Sequence, residues 1–207
     1  MPPKRPPDKH EVPSREKIYR LCLKVAEDIK RSGFKPDVLV AISRGGWIPG
    51  RILSDLLENP NIATIKVEHY VDIYRRIPRP QITQPLPIDV SGKRVLLIDD
   101  IADSGKSLQL VREHLLKSGV KEVRIAALYC KPWSVVVPDF YAEETDAWIW
   151  FPHERFETAK KMVARLLREG KKEGEIRKRL IGIGLKPRLV EKFLRWMKDQ
   201  DFLSESK

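Results

Sequence analysis

Apolar residues in this chain follow two patterns, short continuous runs and helical spacing, and the two patterns alternate. Apolar segments predict four strands, at residues 38–42, 62–67, 95–98 and 123–129, and the continuous apolar run at 38–42 is typical of a strand buried on both faces. Helical spacing predicts three helices, at residues 14–32, 49–57 and 107–117. Two shorter runs, at residues 140–142 and 148–149, are further strand candidates. Strands that alternate with helices are typical of an α/β fold with a mainly parallel central sheet flanked by helices.

Residues 68–89 interrupt this alternation. They contain four prolines and show no clear helical spacing. A loop of this length inside a compact domain is usually functional or mobile. We therefore interpret residues 68–89 as a candidate lid.

The character of the chain changes after Thr158. Three short helices are predicted there, at residues 160–169, 175–183 and 187–198, and glycines separate them. Residues 158–207 hold 15 lysines and arginines against 7 acids, a net charge of +8, whereas residues 1–157 carry +3 of the total of +11. A basic tail can bind nucleic acid or an acidic membrane, or it can be the solvated face of a helical appendage. We favour the appendage, with nucleic acid a less favoured partner and no membrane.

The N-terminal residues 1–13 are rich in proline and charge and lack the apolar segment of a signal peptide, which predicts a disordered arm. The resulting plan is an arm at 1–13, a main domain at 14–157 and a basic helical appendage at 158–207.

No apolar run reaches transmembrane length. Cys22 and Cys130 lie in apolar contexts without metal-ligand spacing, so a reduced, cytoplasmic setting is the simplest expectation. Four glutamines and two asparagines beside 33% charged residues fit a thermophile.

Residues 95–107 carry the strongest functional signal. An apolar run over 95–98 leads directly into Asp99 and Asp100, and a small, hydroxyl-bearing loop over 101–106 then opens a helix. Burying carboxylates is costly, so stability alone does not explain the acid pair. Free N–H groups and the positive end of the helix dipole make the loop a natural phosphate site. The segment therefore suggests a ligand with a phosphate at one end and hydroxyls or a metal at the other.

Two other interpretations of this segment compete with a functional site. Gly105-Lys106-Ser107 resembles the end of a P-loop, but that motif needs a glycine where Asp100 stands. Alternatively, the acids face solvent and Asp103 or Ser104 is an ordinary N-cap. The whole thirteen-residue string favours a functional site over this simpler interpretation.

Polar signals follow three of the predicted strands. Ser43-Arg44-Gly45-Gly46 follows the first strand, the segment from Asp99 to Ser107 follows the third, and Lys131 follows the fourth. In parallel sheets, ligands bind at the carboxyl ends of the strands. The three signals therefore predict one site at this edge of the sheet.

These residues resemble those of a known family, the type I phosphoribosyltransferases. Residues 95–107 are similar to its phosphoribosyl-pyrophosphate signature, two acids followed by Asp-Thr/Ser-Gly and a second hydroxyl residue. Residues 41–46 resemble the pyrophosphate loop of the xanthine-guanine branch. Lys131-Pro132, and Trp148-Ile149 followed by Pro152, resemble the purine-binding hood of the same branch. The resemblance covers about residues 14–157, and it implies the corresponding fold with a small hood.

The resemblance also implies roles for the phosphate-bearing substrate. Asp99 and Asp100 would contact the ribose hydroxyls, directly or through Mg²⁺, the one cofactor implied. The 5′-phosphate would be bound by Ala102, Asp103, Ser104, Gly105, Lys106 and Ser107. Ser43, Arg44, Gly45 and Gly46 would hold the pyrophosphate, with Arg44 stabilising it as it leaves.

For the base, the resemblance implies that Asp103 exchanges a proton with N7 of a purine. Lys131 would donate to the 6-oxo group, Trp148 would stack on the base and the backbone of Ile149 would read its edge. The lid of the family usually carries Ser-Tyr, whereas His69-Tyr70 stands here. The implied partners are phosphoribosyl pyrophosphate and a purine base, and we expect a homodimer or homotetramer.

The leading functional hypothesis is an Mg-dependent enzyme of purine salvage that joins guanine, xanthine or hypoxanthine to phosphoribosyl pyrophosphate. A second hypothesis is a regulator that senses phosphoribosyl pyrophosphate or a nucleotide and binds nucleic acid through its basic tail. A third is a transferase for adenine, orotate or uracil. Asp103, Lys131 and Trp148 favour the first hypothesis, since a sensor needs no proton exchange at N7.

Overall fold

A computed structural model of the chain describes residues 9–70 and 79–200. They divide into two compact units, one formed by residues 16–146 and the other by residues 9–15 and 147–200. No helix among these residues is long and apolar enough to cross a membrane. The bounds of the helices and strands, in chain order, are β1 (His10–Glu11), α1 (Arg15–Arg31), β2 (Val38–Ser43), α2 (Trp47–Leu56), β3 (Ile62–Tyr70), β4 (Arg79–Gln84), β5 (Arg94–Ala102), α3 (Lys106–Lys117), β6 (Glu122–Cys130), β7 (Phe140–Glu144), β8 (Trp148–Ile149), α4 (Arg155–Arg168), α5 (Glu173–Gly182) and α6 (Pro187–Asp199).

The first unit contains a six-stranded sheet in the order β4-β3-β2-β5-β6-β7. Every neighbouring pair is parallel except β3 and β4, which are antiparallel. The prediction of a mainly parallel sheet flanked by helices is therefore confirmed. After β2 the chain adds strands on one side, and after β5 it adds them on the other. The carboxyl ends of β2 and β5 thus form the point where ligands bind in sheets of this kind.

Both faces of the central strands are buried, which explains their continuous apolar runs. Alternate residues of β2, such as Val38 and Val40, share a core cluster with Leu108 and Val111 of α3. On the opposite face, α2 packs closely against β2 at Gly50, which has no side chain. A Cβ added there would lie only 3.0 Å from the Cβ of Ala41. Helices therefore cover the sheet on both sides.

The segment 68–89 differs from the loop expected there. β3 continues to Tyr70, and Arg79–Gln84 forms β4 antiparallel to it. The prolines misled the sequence interpretation because β4 is an edge strand, where a residue without an N–H group is tolerated. Residues 71–78, the middle of the predicted lid, lie outside the described residues.

The N-terminal part of the second unit differs from the sequence prediction. Residues 10–11, expected in a disordered arm, form β1 and pair in parallel with β8. The N–H groups of Trp148 and Trp150 donate to the carbonyls of Lys9 and Glu11, each at 2.8 Å. This pairing joins segments far apart in the sequence, so the local composition of the arm does not reveal it.

The same unit contains α4, α5 and α6 around one apolar core. Trp150, with no exposed surface, shares this core with residues of all three helices, among them Val163, Leu180 and Phe193. The structure thus places the division of the chain between residues 146 and 147, earlier than the expected 157/158. The reason is that Trp150 packs in the core that the three helices form.

Candidate active site

Three neighbouring parallel strands bring the predicted polar segments to one edge of the sheet. β5 lies between β2 and β6, with Ala41 opposite Ile98 and Ala102 opposite Cys130. The residues that follow these strands therefore start from the same edge. The expectation that they converge is confirmed in the geometry, whereas their individual roles stay predictions.

The acid pair lies at the end of β5, inside the strand rather than after it. Asp99 is half-buried, and Asp100 is only 6% exposed. The backbone N–H of Asp100 donates to Oδ1 of Asp99 at 3.0 Å, which fixes the orientation of the Asp99 carboxylate. Asp99 and Asp100 line a cavity of about 250 Å³ together with residues of the following loop. The two acidic residues therefore lie at the wall of a cavity large enough for part of a ligand.

The loop after β2 packs against this acid pair. A Cβ added to Gly45 would lie 2.7 Å from Oδ1 of Asp100, so any larger residue there would have to displace the Asp100 carboxylate. The buried hydroxyl of Ser43 donates to the carbonyl of Ile65 at 3.3 Å and anchors the start of the loop. The Ser43–Arg44 peptide bond is cis, and Arg44 is exposed. The loop thus places its backbone beside Asp100.

Gly46 gives a stability prediction for this loop. A Cβ at Gly46 would lie 2.5 Å from the carbonyl oxygen of Ile98 and 2.7 Å from that of Ile42. Both obstacles are backbone atoms of buried strands, so they cannot move aside. We expect Gly46→Ala to lower the free energy of unfolding by about 1–3 kcal/mol, as overpacking does. Thermal unfolding followed by circular dichroism measures this loss.

Gly174→Ala is the matched control for Gly46→Ala. Gly174 lies in the first turn of α5, and no atom lies within 4 Å of an added Cβ there. Alanine is also the better helix former, so this variant should be as stable as the wild type or slightly more stable. An unfolding midpoint for Gly46→Ala equal to that of the control would show that the loop does not need the close approach.

The loop between β5 and α3 has the form of an anion site. Gly105 precedes α3 with φ of +74°, a conformation that favours glycine. The first N–H groups of a helix have no acceptor within it and carry the positive end of the dipole. The cavity beside the acid pair is lined by this loop as well, through Asp103, Ser104, Gly105, Ser107 and Leu108. The acids and the helix start therefore share one cavity, as the sequence predicts.

Lys131 follows β6 and lies next to this loop. It is 5% exposed, and its backbone N–H donates to the carbonyl of Ala102 at 3.0 Å. Its Nζ lies 5.4 Å from the centre of the Trp133 ring, within the range of a cation–π interaction. Lys131 is therefore a buried lysine whose backbone is bonded to the end of β5.

Trp133 is the residue of this site that the sequence interpretation missed. Its indole Nε1–H donates to Oδ1 of Asp103 at 3.1 Å. The available signal was its place, two residues after Lys131 at the carboxyl end of a strand. A tryptophan in a polar turn needs a partner for its N–H group.

The remaining predicted residues belong to other parts of the chain. Trp148, 38% exposed, and Ile149, buried, form β8 in the second unit, so their joint action with Lys131 stays a prediction. The backbone of His69 and Tyr70 ends β3, and closure of a lid there also stays a prediction.

Two other kinds of chemistry find little support among the described residues. No group of three or more His, Cys, Asp or Glu side chains there is arranged to hold a metal ion by itself. Burial raises the pKa of the Cys22 thiol to about 12, and burial with the nearby Glu144 carboxylate raises the pKa of Cys130. Neither cysteine is activated as a nucleophile, because that requires a lowered pKa.

Known proteins are similar to the part of the chain that carries this candidate site. A family model described as a phosphoribosyl transferase domain matches residues 10–155. Xanthine-guanine phosphoribosyltransferase from Gluconobacter oxydans is 34% identical over 139 residues, which cover 66% of this chain and 76% of that protein. Hypoxanthine-guanine phosphoribosyltransferase from Saccharomyces cerevisiae is 30% identical over 124 residues, 52% of this chain and 55% of that protein.

A solved structure agrees with these matches. Purine phosphoribosyltransferase from Pyrococcus horikoshii superimposes with a TM-score of 0.63 at 38% identity, and the match covers 69% of this chain and 92% of that one. The matched share of that protein is nearly complete, whereas about a third of the present chain lies outside it.

Proposed function

Because this chain belongs to the phosphoribosyltransferase family, we propose that it transfers the phosphoribosyl group of phosphoribosyl pyrophosphate to a 6-oxopurine and releases pyrophosphate, in purine salvage. The observation that carries the proposal is the contact between the Lys131 segment and the loop around Asp103. In its support, the backbone of Lys131, a buried lysine, is bonded to the residue before Asp103, and Asp103 lines the cavity beside the acid pair. Such a pair suits a base with both a carbonyl oxygen and an exchangeable proton.

The phosphate groups of the substrate have two sites in this proposal. The loop of residues 102–107, at the start of α3, binds the 5′-phosphate through its N–H groups and hydroxyls. Ser43, Arg44, Gly45 and Gly46 hold the pyrophosphate, and the Arg44 guanidinium stabilises the negative charge that develops as it leaves. Asp99 and Asp100 contact the ribose hydroxyls between these two sites. The close packing of Gly45 on Asp100 supports this arrangement, since it joins the two sites.

The acid pair also suits Mg²⁺ that arrives with the substrate. Mg²⁺ is commonly held by one or two carboxylates together with water and substrate phosphates, and a complete protein cage is not needed. Two adjacent carboxylates beside a cavity fit that pattern. When bound, Mg²⁺ would neutralise charge on the pyrophosphate. Asp99 is the more accessible of its two candidate ligands.

The base is bound on the other side of the ribose in this proposal. Lys131 donates to the 6-oxo oxygen, Trp148 stacks on the ring and the backbone of Ile149 reads its edge. Asp103 accepts the proton from N7. As N9 of the base bonds to C1′ of the ribose, the bond from C1′ to the pyrophosphate oxygen breaks and its electron pair leaves with pyrophosphate. The loss of the N7 proton to Asp103 keeps the purine neutral.

A panel of nucleobases tests the proposal. Each base is incubated with the full chain, phosphoribosyl pyrophosphate and Mg²⁺, and pyrophosphate release is measured. We expect turnover with one or more of guanine, hypoxanthine and xanthine, and little with adenine, because Lys131 can only donate. Orotate and uracil have carbonyl oxygens but lack the purine N7 whose proton Asp103 accepts, so we expect little turnover with them as well. Turnover confined to the last three bases, or none at all, would contradict the proposal. Omission of Mg²⁺ tests its role in the same assay.

A second candidate function, a nucleic-acid-binding regulator, has one observation in its favour. Helix α6 buries Val190, Phe193, Leu194 and Met197, and Arg188, Lys192 and Arg195 are exposed. At 100° per residue these three cations fall within an arc of about 60°, opposite the buried side. Such a basic stripe is complementary to a phosphate backbone.

Charge reversal tests the regulator. Binding of duplex DNA to the full chain is measured by fluorescence anisotropy over a range of salt concentrations, with Arg188→Glu/Arg195→Glu as the variant and Lys30→Glu/Lys93→Glu as the control of equal net charge. A regulator would show steep salt dependence that only the first variant removes. Weak binding, reduced equally by both variants, would leave the enzyme alone as the proposal.

A further inference from the structure

Trp133 connects the turn after β6, which follows Lys131, with the loop after β5, which carries Asp103. It lies in the turn after β6, and the carboxylate it contacts belongs to the loop after β5, thirty residues earlier. The indole Nε1–H donates to only one oxygen, Oδ1 of Asp103, at 3.1 Å. An indole N–H group is a donor and never an acceptor, so the bond holds this carboxylate by one of its two oxygens.

Backbone hydrogen bonds fix this contact on both sides of Asp103. The N–H of Lys131 donates to the carbonyl of Ala102 at 3.0 Å, and the N–H of Val135 donates to the carbonyl of Ser104 at 3.1 Å. The turn around Trp133 is therefore tied to the residue before Asp103 and to the residue after it. The indole is half-buried, Asp103 is exposed, and the bond between them is open to solvent, so the hold on the carboxylate comes from the bonded turn around Trp133.

Gly105 shows how close the two segments are. A Cβ on this glycine would lie 2.5 Å from Oγ of Ser134 and 2.7 Å from the backbone N of Val136. The Ser134 hydroxyl in turn donates to the carbonyl of Val136 at 2.7 Å, which stiffens the turn. A turn held this closely keeps the indole at a fixed distance from the carboxylate.

The same indole also contacts the other group proposed to bind the base. Nζ of Lys131 lies 5.4 Å from the centre of the Trp133 ring. The indole thus makes two interactions. Its N–H group donates to Asp103, and its ring makes a cation–π interaction with the ammonium of Lys131. One side chain sets the positions of the proposed proton acceptor and the proposed 6-oxo donor.

We propose that Trp133 is a positioning residue, whose N–H group holds one oxygen of Asp103 so that the other oxygen is presented to N7 of the base. The proposal rests on the proposed function and deepens it. Trp133 does not touch the reacting atoms. It acts through Asp103, and its removal therefore affects turnover more than the binding of phosphoribosyl pyrophosphate.

Trp133→Phe tests the proposal, since it keeps an aromatic ring beside Lys131 and removes the N–H donor. We expect kcat with the preferred 6-oxopurine to fall about tenfold, the scale of a lost hydrogen bond to a charged group. The KM for phosphoribosyl pyrophosphate should stay within about twofold of the wild type. Trp196→Phe, at a 40% exposed tryptophan of α6 that has no place in the proposed site, is the matched control and should leave kcat unchanged.

A double-mutant cycle separates positioning from a merely structural effect. If Trp133 acts through Asp103, Trp133→Phe should cost nothing further in kcat once Asp103→Asn is present. A further tenfold loss in the double variant would overturn the proposal, and so would a single Trp133→Phe variant within twofold of the wild type. A wild type that turns over no base in the panel would instead refute the proposed function, and the inference with it.

A second replacement guards against misfolding of Trp133→Phe. Benzothienylalanine, incorporated at position 133, keeps the size and shape of the indole and replaces only the N–H group by sulfur. We expect the same tenfold loss in kcat with an unchanged thermal midpoint. Full activity of this variant would overturn the proposal, since the hydrogen bond would then be dispensable.

Discussion

Asp103→Asn should keep the fold and lower kcat about 10²–10⁴-fold, the range typical of a lost general base. The amide has the shape of the carboxylate but accepts no proton at neutral pH. Its oxygen still accepts the indole N–H of Trp133, so the turn after β6 should remain in place. Steady-state kinetics with saturating phosphoribosyl pyrophosphate measure the effect, and circular dichroism checks the fold.

Asp55→Asn is the matched control for this variant. Asp55 lies on α2, 67% exposed, and its contact with Arg51 is a loose ion pair at 3.9 Å. The same chemical change there should leave kcat unchanged, since exposed ion pairs of this kind contribute little. Turnover of Asp103→Asn within threefold of the wild type would remove Asp103 from the mechanism.

The central sheet was predictable from the sequence because its strands are buried on both faces. The apolar runs that become β2 and β5 leave no polar position until the strand ends, so each run and the polar segment after it stand out. Parallel pairing then requires that Ser43 and Asp99 start from the same edge. In the structure, Gly45 of the loop after β2 packs directly against the Asp100 side chain at the end of β5.

The features that the sequence did not reveal depend on contacts between distant residues. β1 and β8 are each two residues long, too short for a periodic pattern, and their pairing spans most of the chain. The contact of Trp133 with Asp103 is likewise set by the register of β5 and β6. Local propensity carries no information on such register, and only the assembled sheet does.

The appendage shows the same limit from another side. Helical spacing located α4, α5 and α6 to within a few residues, except that α4 begins at Arg155 rather than at residue 160. The pattern did not show that Trp150 belongs to their core. A deletion that starts at residue 158 would therefore leave Trp150 without its packing partners. A deletion that starts at residue 147 would in addition remove Trp148 and Ile149, which the proposed function assigns to the base, so neither truncation tests the appendage alone.

Lys131→Met should lower kcat/KM for the preferred 6-oxopurine by about a hundredfold or more, because a site built to hydrogen-bond a substrate group loses that bond entirely. Methionine has nearly the length of lysine and no donor, and at a position only 5% exposed it also removes a buried charge. The KM for phosphoribosyl pyrophosphate should change less than threefold, since its phosphate loops stay intact. Initial rates with each substrate varied in turn separate the two effects.

Lys121→Met is the control at the other end of the same strand. Lys121 is exposed and directly precedes β6, whereas Lys131 directly follows it, so one substitution is compared at the two edges of the sheet. The control should leave both constants unchanged. Discrimination between a 6-oxopurine and adenine should also shrink in Lys131→Met alone, because the 6-oxo donor is what favours the oxopurine. Equal losses of affinity for the base and for phosphoribosyl pyrophosphate would show that Lys131 supports the site as a whole and does not read the base.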